Sequence, residues 1–551
     1  MKDTKKITDM TNSILSNLLI FFLLISLSSN SQTIEVSGSI NANTNWDVDT
    51  VKIIGDVTVE PNVLLSVSPG VYIEAQGYYK LNVFGKISAI GLISDSITFT
   101  VNDTTGFWSD TTSVTGGWHG IYIIGEDGSS DSSVFSYCKL QYGKNYDDYG
   151  GDINGGALYI YNHSYLHINH CLFSNNMVIC YTNGVDGPYG GAVYCENANE
   201  ILIDSSSFIK NRSFDFSGAI RIDENCYTTT ITNNTFINNV GYFWEDAPPP
   251  WGYVIGGGGA AISTSDLVYS PVISNNYCFN NKGLNGIIYT SNLNARIFNN
   301  VICNNWGPGI ADGHQLSTSK TFNNTIVNNR TRLGGILLWS KAEVYNNICW
   351  GNEYYTGQNY DQIYIDAANP TLNYNCVQYG DGGPGSIFDY PEFVDPTEGV
   401  GVEYDGASAD WTVENWSPCI NSGTPDTNYL TIPENDVIGN MRIFGNRIDM
   451  GAYENQVIWV FSNEIELSAE NISVFPNPAT TTVTIQVNTP NNQENYTVSI
   501  SNALGKVIFQ TKIFAQEQSS QINVSDWKSG LYVVVVSYTE GVAERIKLII
   551  K

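Results

Sequence analysis

The residues of this chain that could do chemistry are a few carboxylates, one arginine and many flat rings. Asp147, Asp148 and Asp152 share one short polar stretch, Arg221 and Asp223 stand two apart, and Glu245 and Asp246 sit among Phe243, Trp244, Trp251 and Tyr253. Glycoside hydrolysis needs two carboxylates held about 5–10 Å apart across the bond. Asp147, Asp148, Asp152, Asp223, Glu245 and Asp246 are candidates for such a pair, with Arg221 near Asp223, yet no motif selects two of them. A β-eliminating lyase needs a Lys, Arg or His base next to a group that neutralises a uronate. Arg221, His314 and Lys341 are conceivable, without a local pattern to support them. The catalytic residues of an enzyme, if this is one, stay unassigned.

Metal chemistry has little to stand on. The ten Cys residues include no C-x-x-C pair, and His119, His163, His167 and His170 form no ligand set. Asp127-Gly-Ser-Ser-Asp131 and Asp148-Tyr-Gly-Gly-Asp152 could hold Ca²⁺ through oxygen atoms, or they are solvated turns. No other cofactor is expected.

The rings are more orderly. Tyr122, Tyr159 and Tyr194 each occupy the same place in a short run led by Gly, Arg221 takes that place in the next run, and Tyr364 recurs later. Tyr289 fits in one of two registers, and a slip of one residue would turn it to the other face. Rings beside carboxylates suit a neutral glycan, stacking on its C–H face while the acids accept from its hydroxyls. The other reading is a self-stacked ladder that contributes stability only. The ligand-binding expectation is Tyr122, Tyr159, Tyr194, Arg221, Trp244 and Trp251.

What positions these residues is a repeat. Ile231-Thr-Asn-Asn-Thr-Phe-Ile-Asn-Asn239 returns at 135–143, 168–176, 203–211, 273–281, 297–305, 321–329, 344–352 and 372–380. Its fourth position reads Cys138, Cys171, Ser206, Asn234, Asn276, Asn300, Asn324, Asn347 and Asn375. A unit of this size cannot bury its apolar face without a neighbour. The runs are short, β-branched or aromatic, alternating, and bounded by Gly, Asn and Ser, with no helical period. Stacked in one sense they make a parallel β-solenoid. The sixth position (Leu140, Phe173, Phe208, Phe236, Cys278, Ile302, Ile326, Cys349, Val377) then forms an interior stripe. The Asn column belongs in a turn, where Asn tolerates a left-handed backbone and its amide bonds neighbouring coils. Long inserts at 144–154, 177–188 and 241–257 leave from one corner, so they gather on one side, where repeat proteins bind. Cysteines 138, 171, 278 and 349 fall in repeat columns and read as small interior hydrophobes. Cys138 and Cys171 would lie close enough for a disulfide.

These residues resemble the right-handed parallel β-helix repeat family, the pectin lyase-like fold of pectate lyases, other polysaccharide-active enzymes and surface adhesins. The resemblance covers about residues 50–380 and implies a fold, since chemistry must be argued from a site. The three-part signature of the polygalacturonase relatives is absent.

The rest of the 551 residues divides readily. Residues 1–31 read as a secretory signal, with Lys2, Lys5 and Lys6 before an apolar core and small residues before Gln32. Residues 32–380 are the β-helix. At 381–456 the repeat is lost, and Ser417-Pro-Cys-Ile-Asn-Ser-Gly423 with Ile448-Asp-Met-Gly-Ala-Tyr-Glu454 resembles the segment that closes many bacterial β-helix proteins. Arg442 with Asp436, Asp449 and Glu454 reads as a salt-bridged cap over the final coil rather than a catalytic cluster. Residues 457–472 are a linker, and 473–551 a small β-sandwich. The entry Ser473-Val-Phe-Pro-Asn-Pro-Ala-Thr480, the run Gly530-Leu-Tyr-Val-Val-Val-Val536 and the tail Glu544-Arg-Ile-Lys-Leu-Ile-Ile-Lys551 resemble the C-terminal sorting domain of the type IX secretion system in Bacteroidota. That resemblance implies export, with the cargo released or anchored at the outer-membrane surface. By hydropathy no segment reads as an integral membrane span.

The net charge of −29 repels nucleic acid and anionic surfaces, and argues against polyanionic sugars as ligands. The sequence therefore predicts an all-β exported protein that binds a glycan or another extracellular ligand along its Tyr-bearing strands. A polysaccharide-degrading enzyme on the same scaffold is the alternative.

Overall fold

The computed structural model describes residues 32–457 except 127–131, 148–152, 181–187, 215–216, 242–258, 355–360, 367 and 429. It also describes 472–551 except 488–495, 503–505, 515–518 and 538–542. The chain forms two compact units, 1–457 and 458–551.

One coil shows how the first unit is built. Val193–Glu196 lies on a first face, Glu200–Asp204 on a second and Ser207–Ile209 on a third, and Arg212–Ser213 adds a short strand at the corner leading back to the first. The next coil repeats the path with Ile220–Ile222, Thr228–Thr232, Thr235–Ile237 and Val240–Gly241, each paired in parallel with its predecessor. This is a parallel β-helix, beginning at Thr33–Ile40 and running to Cys376–Val377.

The interior stripe is as expected. Leu140, Phe173, Phe208, Phe236, Cys278, Ile302, Ile326, Cys349 and Val377 stand in unbroken register across nine strands. All nine are fully buried, and each large member contributes about 1.5–3 kcal/mol by leaving water. The rings of Phe173, Phe208 and Phe236 stack at 4.9 and 5.0 Å.

The Asn residues divide their labour. The left-handed backbone falls one position earlier, at the third and eighth residues of the template, such as Asn233 and Asn238 at φ 56° and 57°. The fourth and ninth residues instead run two buried ladders along the axis. The backbone N–H and the Nδ2 of Asn276 both donate to Oδ1 of Asn300, at 3.0 Å each, and Asn300 does the same to Asn324. Asn281, Asn305 and Asn329 repeat the pattern on the second ladder. Each amide's second hydrogen goes to a strand carbonyl of the previous coil, so these groups are satisfied without water.

Two expectations need correction. Parts of the expected inserts are strands: Lys144–Asp147 pairs with Met177–Cys180 in a small sheet at the corner. The stretches beyond them, 148–152 and 181–187, lie outside the described residues, as does the third insert from 242 onward. The segment after the repeat also does not simply roof the last coil. Gly382 and Ser386 do that, accepting from the side chain and backbone N–H of Asn375. Residues 391–455 form a strap along the outside of the third face. Phe393, Trp411, Met450 and Ala452 pack there on Val301, Cys303, Val327 and Ile348. The left-handed Asn residues of these coils point outward and hold the strap: Asn304 donates to Gly399 O at 3.0 Å, Asn323 to Asp449 O at 2.9 Å, and Asn346 accepts from Thr424 N at 2.7 Å.

The Arg442 cluster is part of this strap and is structural. Arg442 meets Glu454 at 3.2 Å, fully buried, and donates to the carbonyls of Ala452 and Asp449. Asp436, Asp449 and Glu454 each accept from backbone N–H groups, leaving no oxygen presented to a substrate. Burial pushes the Glu454 and Asp449 carboxyls up despite the neighbouring guanidinium.

The second unit has a three-stranded and a four-stranded sheet, antiparallel throughout its ladders. Ile485, Val498, Ile500, Val534 and Leu548 are among its buried core. Its strands are Ile472–Phe475, Thr482–Val487, Tyr496–Asn502, Val507–Ile513, Ser519–Asn523, Gly530–Ser537 and Ala543–Ile550.

Candidate ligand-binding face

Strand alternation on the first face sends Ile121, Ile123, Leu158, Ile160, Val193 and Cys195 into the core and the residues between them outward. The outward column reads Tyr122, Tyr159, Tyr194, Arg221, Ser263, Tyr289, Ala311, Leu337 and Tyr364, in register from coil to coil. The register of Tyr289 is thereby resolved: it belongs to the column.

The first three rings stack on one another. Tyr122 and Tyr159 lie 5.0 Å apart and Tyr159 and Tyr194 5.5 Å, the latter pair at 6°. They form a small apolar cluster separate from the solenoid core, flanked by Ile124, Tyr161 and Tyr189. All three are buried, at 5–9% exposure. Their faces are therefore occupied by one another, and what they can offer a ligand is their hydroxyl edge. Asn145 already donates to the Tyr122 hydroxyl at 2.7 Å. His119 closes the near end, stacked on Tyr78 and edge-on to Tyr122. Burial and then Lys80 lower its pKa to about 4, so it stands as a neutral imidazole.

At the Tyr194 end the chemistry becomes polar. The Tyr194 hydroxyl donates to Glu196 at 2.7 Å and lies 3.4 Å from Asp223. Burial, with Asp223 and Glu196 behind it, raises this phenol far above its ordinary range, so it acts as a donor and not as a base. Arg221 holds Asp223 with two N–H donors at 3.2 Å each and gives a third to Ser263 Oγ. Its guanidinium sits 5.1 Å from the centre of the Tyr189 ring. Both members of the Arg221–Asp223 pair are close to nine-tenths buried on the outer side of the wall.

Of the residues singled out from sequence, Tyr122, Tyr159, Tyr194, Arg221 and Asp223 come together on this face. Asp148, Asp152, Trp244 and Trp251 lie outside the described residues, as does the side chain of Asp147, whose backbone ends the strand Lys144–Asp147. Both Ca²⁺ candidates, 127–131 and 148–152, lie there too. Among the described residues no cluster of His, Cys, Asp or Glu could hold a metal ion. His314 is engaged in its own turn, accepting from Leu316 N.

Sequence reasoning missed Glu196, and the signal was present. In a strand, residues two apart share a face, so Glu196 follows Tyr194 as Asp223 follows Arg221 and Tyr161 follows Tyr159. The second outward column pairs Ile124, Tyr161 and Glu196 in register.

Residues 473–551 match the family described as Secretion system C-terminal sorting domain. No curated protein matches the chain. The chain thus ends in a type IX sorting domain, which indicates secretion and engagement with that export machinery. Among the described residues no helix is long and apolar enough to cross a membrane.

Proposed function

We propose that this exported β-helix binds an extracellular glycan at the polar end of the tyrosine ladder, without turning it over. The observation that carries the reading is the linked set Tyr194, Glu196, Arg221, Asp223 and Ser263 on the outside of the wall. Stability alone is a weak reason to bury the Arg221–Asp223 pair there, because removing both charges from water offsets most of their attraction. The set lies on the face entered from the corner where the three long inserts depart, so a ligand there would meet residues of several coils at once. Acceptors on the acids and donors on Arg221 match sugar hydroxyls, and the net charge of −29 favours a neutral polymer.

The engagement of Asp223 speaks for binding over hydrolysis, since both its oxygens already accept from Arg221 and one also from Glu224 N. A second reading, a polysaccharide-degrading enzyme, draws on the fact that Glu196 and Asp223 approach the same hydroxyl, which makes them a carboxylate pair to consider on this face.

Incubating the purified full chain with a panel of neutral and acidic polysaccharides separates the two. Retardation in gels containing a neutral polymer, lost by roughly tenfold in affinity in Glu196→Gln and Tyr194→Phe, is the expected result, one hydrogen bond to a charged group being about 1.5–3 kcal/mol. Reducing ends or unsaturated-uronate absorbance, abolished in Asp223→Asn, would replace binding with catalysis. Retention by no polymer would leave the ladder a stabilising element. Released and surface-anchored forms are distinguished by fractionating cells and medium.

A further inference from the structure

The nine cysteines whose side chains are described are all buried and free, and most lie in interior columns. Two adjacent pairs, Cys138 with Cys171 and Cys195 with Cys226, link successive coils that strand ladders already join. Cys171 Sγ accepts from Cys138 N at 3.4 Å, and Cys226 Sγ lies 3.9 Å from Cys195 O. A third pair is different in kind. Cys376 begins the last strand of the third face, and Cys419 belongs to the strap, 43 residues further on. Both are fully buried in an apolar cluster that joins strap to solenoid, together with Phe393, Trp411 and Met450. No strand ladder connects these two elements: the strap's hairpin, Phe393–Asp395 with Asp410–Val413, pairs only with itself.

We propose that Cys376 and Cys419 close to a disulfide in the exported protein and latch the strap to the final coil. Three observations converge on it. Both side chains belong to one buried cluster, where the neighbouring Cys419 thiol, together with burial, pushes the Cys376 thiol well above its ordinary range. Met450 N donates to Cys419 O and Cys376 N to Asn347 O, so each backbone is fixed on its own side of the contact. The sorting domain sends the chain out of the cytoplasm, into compartments where disulfides persist.

The step balances as thiol–disulfide exchange. Cys376 and Cys419 lose two protons and two electrons and form one S–S bond, and an incoming small disulfide is cleaved to two thiols. A raised thiol pKa leaves little thiolate, the attacking species. Exchange in the docked strap is therefore slow, and the bond forms as the strap settles, before the site is closed. Once formed, the same burial shields it from reductants.

The test uses the full chain, unfolded and refolded in oxidised and reduced glutathione, then blocked with iodoacetamide in denaturant. Peptide mass spectrometry should find the Cys376 and Cys419 peptides joined, and both thiols absent from the alkylated set. Melting should fall by several degrees when reductant is added to the oxidised protein before heating. A Cys376→Ala, Cys419→Ala double variant should lose most of that response even if Cys138–Cys171 or Cys195–Cys226 also oxidise. Recovery of both peptides fully alkylated, or an unchanged response to reductant in the double variant, would overturn the proposal.

Discussion

Two stacks of aromatic rings run along this solenoid, one inside its wall and one outside. Phe173, Phe208 and Phe236 lie inside at 4.9 and 5.0 Å, and Tyr122, Tyr159 and Tyr194 lie outside at 5.0 and 5.5 Å. The spacing is nearly the same because both are set by the separation of neighbouring strands. A periodic ring column is thus a consequence of register and says little about binding by itself. What distinguishes the outer stack is its polar edge. Glu196, Arg221 and Asp223 gather there, while the inner stack lies within the apolar core.

The comparison can be broken by truncation on each side. Phe208→Ala should cost about 3–5 kcal/mol, the range for emptying a ring site in a close-packed core, measured by denaturant unfolding. Tyr159→Leu should cost clearly less, because the outer cluster can collapse and the wall behind it stays filled; equal losses would make the outer stack a second core. At least as large as the Phe208 loss is that of Asn300→Leu, which strips acceptors from the N–H and Nδ2 of Asn276 and a donor from Ile273 O. Each orphaned buried group costs about 1–3 kcal/mol, and the loss should appear as fraying at this coil in hydrogen exchange. The smallest effect is in pH. Glu454 and Asp449 are raised in the folded strap, so the folded state holds protons that the unfolded chain has released. Their contribution is complete below the ordinary carboxylate range and is lost as pH rises through the raised folded values. The strap should therefore melt at higher temperature in mildly acidic than in alkaline buffer, and the outer Tyr column should not follow it.

Much of this was legible in the residues. The sixth-position stripe and the fourth-position Asn ladder are local patterns repeated many times, and a repeat turns sequence position into spatial neighbourhood. The sandwich strands were legible for a similar reason, since each alternates between turns. The course of 391–455 was not. Its partners, Asn304, Asn323 and Asn346, lie some 80–130 residues away, and the outward Asn residues that hold it look like ordinary turn residues in sequence. The same positions in earlier coils, His170, Lys210 and Asn233, are left in solvent. Of the site, the Tyr column and Arg221 were visible as a period, whereas Glu196 occurs once and only its position two after Tyr194 gives it away.

The Asn ladders point one way. Every rung donates to the side-chain oxygen of the next coil's rung and accepts from the one before, until Ser386 and Gln362 take the last donations. Between those terminators the rungs are interchangeable, with 24 residues from Asn276 to Asn300 and again to Asn324. A gene segment encoding one such turn could be duplicated or excised in frame, and the polarity would heal across the junction. The protein's length is in this sense modular, while its ending is not.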